Sequence, residues 1–130
     1  MKSYVAVFIG GTLGSLFRYV LNMWTGGSFF PWPTLIENLS GSLLLGLLTG
    51  FFTNRPKKPF IQLALGTGFC GGYTTMSAFS KETVLLLHSS APYMGMIYLG
   101  ATLTGGVCLA FIGFSLGSRL SRLGKGAVKS

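Results

Sequence analysis

The run Gly71-Gly72-Tyr73-Thr74-Thr75-Met76-Ser77-Ala78-Phe79 places two glycines and three aliphatic hydroxyls between apolar stretches, Phe60 to Cys70 before it and Val84 to Leu87 after it. Paired glycines followed by paired threonines loosen a helix ladder and offer hydroxyls to the backbone groups released. Lipid does not tolerate backbone without partners, so a break at membrane depth must be buried in protein or border a cavity holding water or ions. The chemistry such a segment offers is ion handling, by main-chain carbonyls toward a cation and by short-range N–H and O–H donors toward an anion. Two further polar rows recur at helical spacing. Thr34, Asn38 and Ser42 form one, with Gly46 and Gly50 continuing it, and Tyr98, Thr102, Gly106 and Ala110 form the other. The glycine faces read as close helix packing through small residues. Three polar groups in file at 34, 38 and 42 point instead to a wet or ion-bearing surface.

Such residues need membrane elements to position them, and the composition supplies the class. The chain has 130 residues, of which 49% are hydrophobic and only 9% charged. A soluble domain carries about a quarter charged residues, so an integral membrane protein is the better reading. Ten Lys and Arg against two acids give a net charge of +8. The basic residues gather beside apolar runs, which fits anchoring to anionic lipid rather than a nucleic-acid surface. Cys70 and Cys108 stand alone inside apolar stretches, with no metal-ligand spacing and no disulfide framework.

The sequence predicts an all-α membrane protein of one domain, with four spans of about 4–24, 34–53, 60–88 and 93–120. The third is longer than a crossing requires because it contains the break. Asn54-Arg55-Pro56-Lys57-Lys58-Pro59 reads as a charged, proline-rich loop. The first span contains Arg18 and no small-x-small site, so it does not read as a cleavable signal. With the N-terminus in the cytoplasm, Lys2, Arg55, Lys57, Lys58, Arg119, Arg122, Lys125 and Lys129 lie inside, and Arg18 and Lys81 outside. That imbalance favours both termini in the cytoplasm. Arg18 reads either as an interfacial anchor or as a vestibule residue that draws in anions. Glu37 is expected at the level of the lipid headgroups, or paired with a cation or basic residue. Lys81 and Glu82 are expected to mark a water-accessible outer end, and His88 an interface.

Enzymatic readings fail on inventory. One histidine, two carboxylates at different depths and no paired cysteines leave no acid-base pair or metal cluster. Gly10-Gly11-x-x-Gly14 lacks the strand and turn of a nucleotide loop. The chain does resemble the Fluc/CrcB fluoride channels over essentially its whole length. The carriers of that resemblance are four spans in about 130 residues, a Gly-rich first span ending in Arg18, Asn38 and Gly41 in the second, and the run from Gly71 to Phe79. It implies a multi-pass plasma-membrane channel exporting fluoride passively, built as an antiparallel dimer with two pores and one structural, untransported Na+ at its centre. By resemblance, main-chain carbonyls of Gly71 and Thr74 hold the sodium, Asn38 is the pore asparagine, Arg18 the vestibule arginine, and Phe79 one of the paired phenylalanines. Tyr98 and Thr102 match residues bordering the pore.

Met76 departs from the family, standing where a pore phenylalanine is usual. A ring edge carries positive potential toward an anion, whereas a thioether offers a flexible, polarizable contact. Ala78 replaces a common hydroxyl, and Glu37 is unexpected beside Asn38. The channel chemistry is coherent without the resemblance. Fluoride is small and strongly hydrated, so a pore must replace its water with compact donors, and Asn38, Ser77, Thr75 and Thr102 can supply them. A small four-span multidrug or cation transporter is the alternative, with Glu37 binding protons and cationic substrate. The basic imbalance further suggests a fixed topology and an oppositely oriented paralogue completing the dimer, against the alternative of a dual-topology homodimer.

Overall fold

The computed structural model describes residues 1–53 and 59–126, all of them helix or short connections. The basic residues Arg55, Lys57, Lys58 and Lys129, on which the orientation argument partly rests, lie outside the described residues. Helix α1 spans Lys2–Thr25 and α2 spans Trp32–Thr53. The turn between them closes with the Gly26 N–H donating to the Asn22 carbonyl at 2.9 Å. Gly27 then takes φ 109°, a left-handed value that a side chain would resist.

The third segment is composite. Helix α3 (Pro59–Gln62) widens into a π-helix over Leu63–Cys70 and tightens again in α4 (Gly71–Tyr73). Thr74 and Thr75 are extended, at ψ 157° and 124°, before α5 runs over Met76–Leu87. Helix α6 covers Pro92–Gly126. Helices α1, α2 and α6 are each long and apolar enough to cross a membrane. Of the paired glycines and paired threonines that the sequence marks as loosening the helix, Gly71 and Gly72 are helical and the extended residues are the two threonines. Gly72 is small for another reason: a Cβ there would run into the carbonyl of Gly11 on α1.

Glycine sets the packing elsewhere too. Helix α1 lies along the π-helix, and a Cβ on Gly10 or Gly14 would strike the carbonyl of Ala64 or Phe69. Helices α2 and α6 pack along most of their lengths, and there the contact is reciprocal. Cβ atoms on Gly46 and Gly50 would meet the carbonyls of Ala110 and Phe114, and those on Gly113 and Gly117 the carbonyls of Leu43 and Leu47. Pairs spaced by four on both helices bring the backbones to near contact, the way small residues drive association in lipid.

Aromatic packing closes the other end. Leu35, Phe79, Leu86 and Tyr98 form the buried apolar cluster, and Phe30 meets the Tyr98 ring edge-on with centroids 5.6 Å apart. Large apolar side chains such as Phe8, Trp24, Ile97 and Phe111 cover the outside. In water so broad an apolar surface would drive association; against hydrocarbon it is the ordinary exterior.

If backbone contact at the glycines holds α2 to α6, Gly113→Val should lower the melting temperature in detergent, by an overpacking cost of about 1–3 kcal/mol. Gly100→Ala, where a Cβ meets nothing within 4 Å, should leave it unchanged or raised. Equal behaviour of the two variants would contradict this account.

Candidate functional site

The interruption at Thr74 and Thr75 is stabilised from outside its own helix. Asn38, on α2, grips Thr75 at two points: its Nδ2 donates to the Thr75 carbonyl at 3.0 Å, and its Oδ1 accepts from the Thr75 N–H at 2.9 Å. In an unbroken helix that N–H would bond to the carbonyl of Gly71. The next turn repeats the exchange. The Ala78 N–H, which would serve the Thr74 carbonyl, turns instead to Thr75 Oγ1 at 3.3 Å, the side chain capping α5. Both carbonyls have therefore lost their helical donors. Upstream, the Cys70 carbonyl takes both the N–H and the hydroxyl of Thr74, at 2.9 Å each.

Two cavities meet at Thr75. One, of about 540 Å3, is bordered by Asn38, Gly71, Thr74, Met76, Phe79 and Thr102. The other, of about 500 Å3, is bordered by Arg18, Asn22, Thr34, Glu37, Ser77 and Glu82. Thr75 lines both. A smaller cavity toward the loop after α1 shares Asn22 and Glu82 with the second. Of the residues singled out in the sequence, Gly71, Thr74, Thr75, Asn38, Met76, Phe79 and Thr102 thus converge on one side, and Arg18 and Ser77 on the other. Tyr98 borders neither cavity. It is fully buried behind Phe79, ring centroids 5.4 Å apart.

Hydrogen bonds separate donors that are free from those already engaged. Tyr98 donates its hydroxyl to Glu82 Oε2 at 2.7 Å, and Thr34 donates to Glu82 Oε1 at 2.9 Å. The Thr102 hydroxyl turns back to the Tyr98 carbonyl at 2.7 Å, and that of Ser42 to the Asn38 carbonyl at 2.8 Å. Tyr98 and Thr102 therefore present ring and methyl surface rather than free donors. Asn38 keeps its second amide hydrogen, since Nδ2 carries two. Ser77 Oγ lies 3.3 Å from Thr75 Oγ1 and is exposed. Met76 is 70% exposed at the cavity mouth, whereas Phe79 is buried.

Glu37, expected among headgroups or paired with a cation or basic residue, has no exposed surface at all and bonds an amide instead. Its Oε1 accepts from Asn22 Nδ2 on α1, and Oε2 has no hydrogen-bond partner. Glu82, half-exposed beside two of the cavities, is also the acceptor that ties α5 to α2 and α6. Asn22 was not singled out, although it continues the row of Gly10, Gly14 and Arg18 by one more helical turn. That spacing was the available signal. Nothing local distinguishes Glu82 from any helical glutamate.

The family described as CrcB-like protein, Camphor Resistance (CrcB), matches residues 5–114. The chain is 69% identical to the fluoride-specific ion channel FluC 2 of Bacillus licheniformis, over 93% of this chain and 91% of that one. It is 53% identical to the protein of the same name in Bacillus subtilis, over 93% and 92%. A fluoride-specific ion channel FluC of Leptospira interrogans is 40% identical over 86% and 91%.

The Asn38 grip is testable by itself. Asn38→Leu keeps the bulk and removes both partners of Thr75. The half-buried Thr75 groups should cost about 1 kcal/mol, the low end for an unsatisfied pair, and amide exchange at Thr75 should quicken roughly fivefold. Unchanged exchange there would refute the grip.

Proposed function

From the premise that the chain belongs to the CrcB-like family, we propose that it is a fluoride channel, a multi-pass protein of the plasma membrane that lets cytoplasmic fluoride leave passively. The observation that carries this reading is near-complete coverage, at up to 69% identity, of relatives named as fluoride-specific channels. The third segment, 59–87, supplies the remaining crossing, with its interruption inside the membrane. Such a protein moves an ion and transforms no substrate, and the relatives favour it over the multidrug transporter.

Fluoride holds its hydration shell tightly, so it crosses only where compact donors replace that water. The free amide hydrogen of Asn38 is the leading donor, with Ser77 and Thr75 on the far side of the interruption. Phe79, held against Tyr98, turns a ring edge toward the anion, as the quadrupole of an aromatic ring permits. Met76 takes the neighbouring position with a softer contact. Arg18 lies in the second cavity, where a fixed positive charge raises the local concentration of anions.

The donor set also suits a structural sodium ion. The Gly71 and Thr74 carbonyls, whose helical donors are engaged elsewhere, are hard oxygen ligands. When bound, the ion would supply fixed positive potential beside the pore. One copy offers too few oxygens to enclose it, so a second copy of the interruption is needed. The exposure of Met76 and the open space around Gly71 support an antiparallel partner facing this surface. That partner is either the same chain or an oppositely oriented paralogue, and the lopsided basic residues favour the paralogue.

Two outcomes follow. Asn38→Asp puts a like charge in the path of the anion, and Phe79→Ala removes the ring edge. Each should slow fluoride-electrode efflux at least about tenfold from liposomes holding the chain with whichever partner completes the channel, with chloride efflux absent throughout. Native rates from both variants would place the path elsewhere. Cytoplasmic and external reporters fused to the C-terminus should give signal only from the cytoplasmic one, with flux appearing only once a paralogue is supplied. Equal signals, with flux from the chain alone, would establish the homodimer.

A further inference from the structure

Glu37 is an ionisable side chain with no exposed surface and no use in the path described above. Glu37 borders the second cavity; its Oε1 is occupied by Asn22, while Oε2 is buried and has no hydrogen-bond partner. An unpaired carboxylate oxygen is costly in so poor a dielectric. The guanidinium of Arg18 shares the cavity without bonding to Oε2. Glu82 faces the same space, and both its oxygens accept hydroxyl hydrogens, the arrangement of an ionised group.

With both carboxylates ionised, two negative charges face one guanidinium across the cavity, and Lys81 stands outside on the exposed side of α5. We propose that Glu37 Oε2, together with the Glu82 carboxylate and neighbouring hydroxyl and amide oxygens, binds a small monovalent cation in this cavity. A divalent ion would overcompensate the charge. The oxygen atoms of Thr34, Ser77 and the Asn22 amide lie around the same space, and hard cations prefer oxygen. Bound there, the cation would neutralise the carboxylates that otherwise repel an anion approaching Asn38, one residue along α2. The site stands apart from the carbonyls of Gly71 and Thr74, which border the other cavity. It rests on these side chains alone and stands whether or not the ion conducted is fluoride.

The test is anomalous diffraction from crystals of the full chain grown in thallium(I) nitrate, thallium(I) serving as the probe for a small monovalent cation. The expected result is a peak at bonding distance from Glu37 Oε2. Glu37→Gln, which keeps the size of the side chain and the acceptor for Asn22, should lose that peak. Thallium at the Gly71 and Thr74 carbonyls would appear as a separate peak and be unaffected, so the two sites fail independently. The proposal is overturned if the wild-type chain shows water alone beside Oε2, or if Arg18 or a side chain of a second copy occupies that position. A peak that persists unchanged in Glu37→Gln overturns it equally.

Discussion

Two peptide groups decide the architecture of the functional region. Thr74 and Thr75 leave the helix between α4 and α5, and their half-buried backbone groups need partners from elsewhere. The solution is a side chain from another helix: the Asn38 amide meets both polar groups of Thr75 at once. An asparagine suits this because its amide is a peptide group in miniature, one donor face and one acceptor side by side. Threonine completes it by capping the helix that restarts. What remains after these substitutions are the Gly71 and Thr74 carbonyls without their usual helical donors.

That grip works only if α2 and the third segment are held in register, and the scaffold does this with glycine. Helices α1 and α6 press on their neighbours at backbone distance, with no side chains between. Lipid gives no hydrophobic incentive for helices to associate, so close van der Waals contact must do it. Rigid flanks of this kind let one amide fix the position of Thr75. The π-helix over Leu63–Cys70 belongs to the same arrangement, since wide turns of this kind cluster at functional sites.

The hydroxyls have two employments. Those of Thr102 and Ser42 return to their own helix, and those of Thr34 and Tyr98 converge on Glu82. Free donors around the interruption are therefore few: the second Asn38 N–H and the hydroxyls at the start of α5. A small number of free donors suits conduction, because an ion held by many would not leave. The polar residues that look alike in a helical projection thus separate into free donors and struts once their partners are known.

Much was legible from order and spacing alone. Low charge, long apolar runs and glycines every fourth residue determined an all-helical membrane protein, because lipid permits little else. The run from Gly71 to Phe79 located the irregular segment, and Asn38 stood out as an amide on a hydrophobic helix. Tertiary contact decided the rest. Glycines and threonines alike read as loosening the helix, yet only the threonines are extended, because Asn38 grips Thr75 from 37 residues away. Glu37 reads as a headgroup residue or the partner of a cation four positions into its span, yet it is buried with Asn22 of α1 as its hydrogen-bond partner. Glu82 carries no local mark, since its value lies in two hydroxyls brought from α2 and α6. Periodicity reports which face of a helix is polar; only packing reports what that face meets.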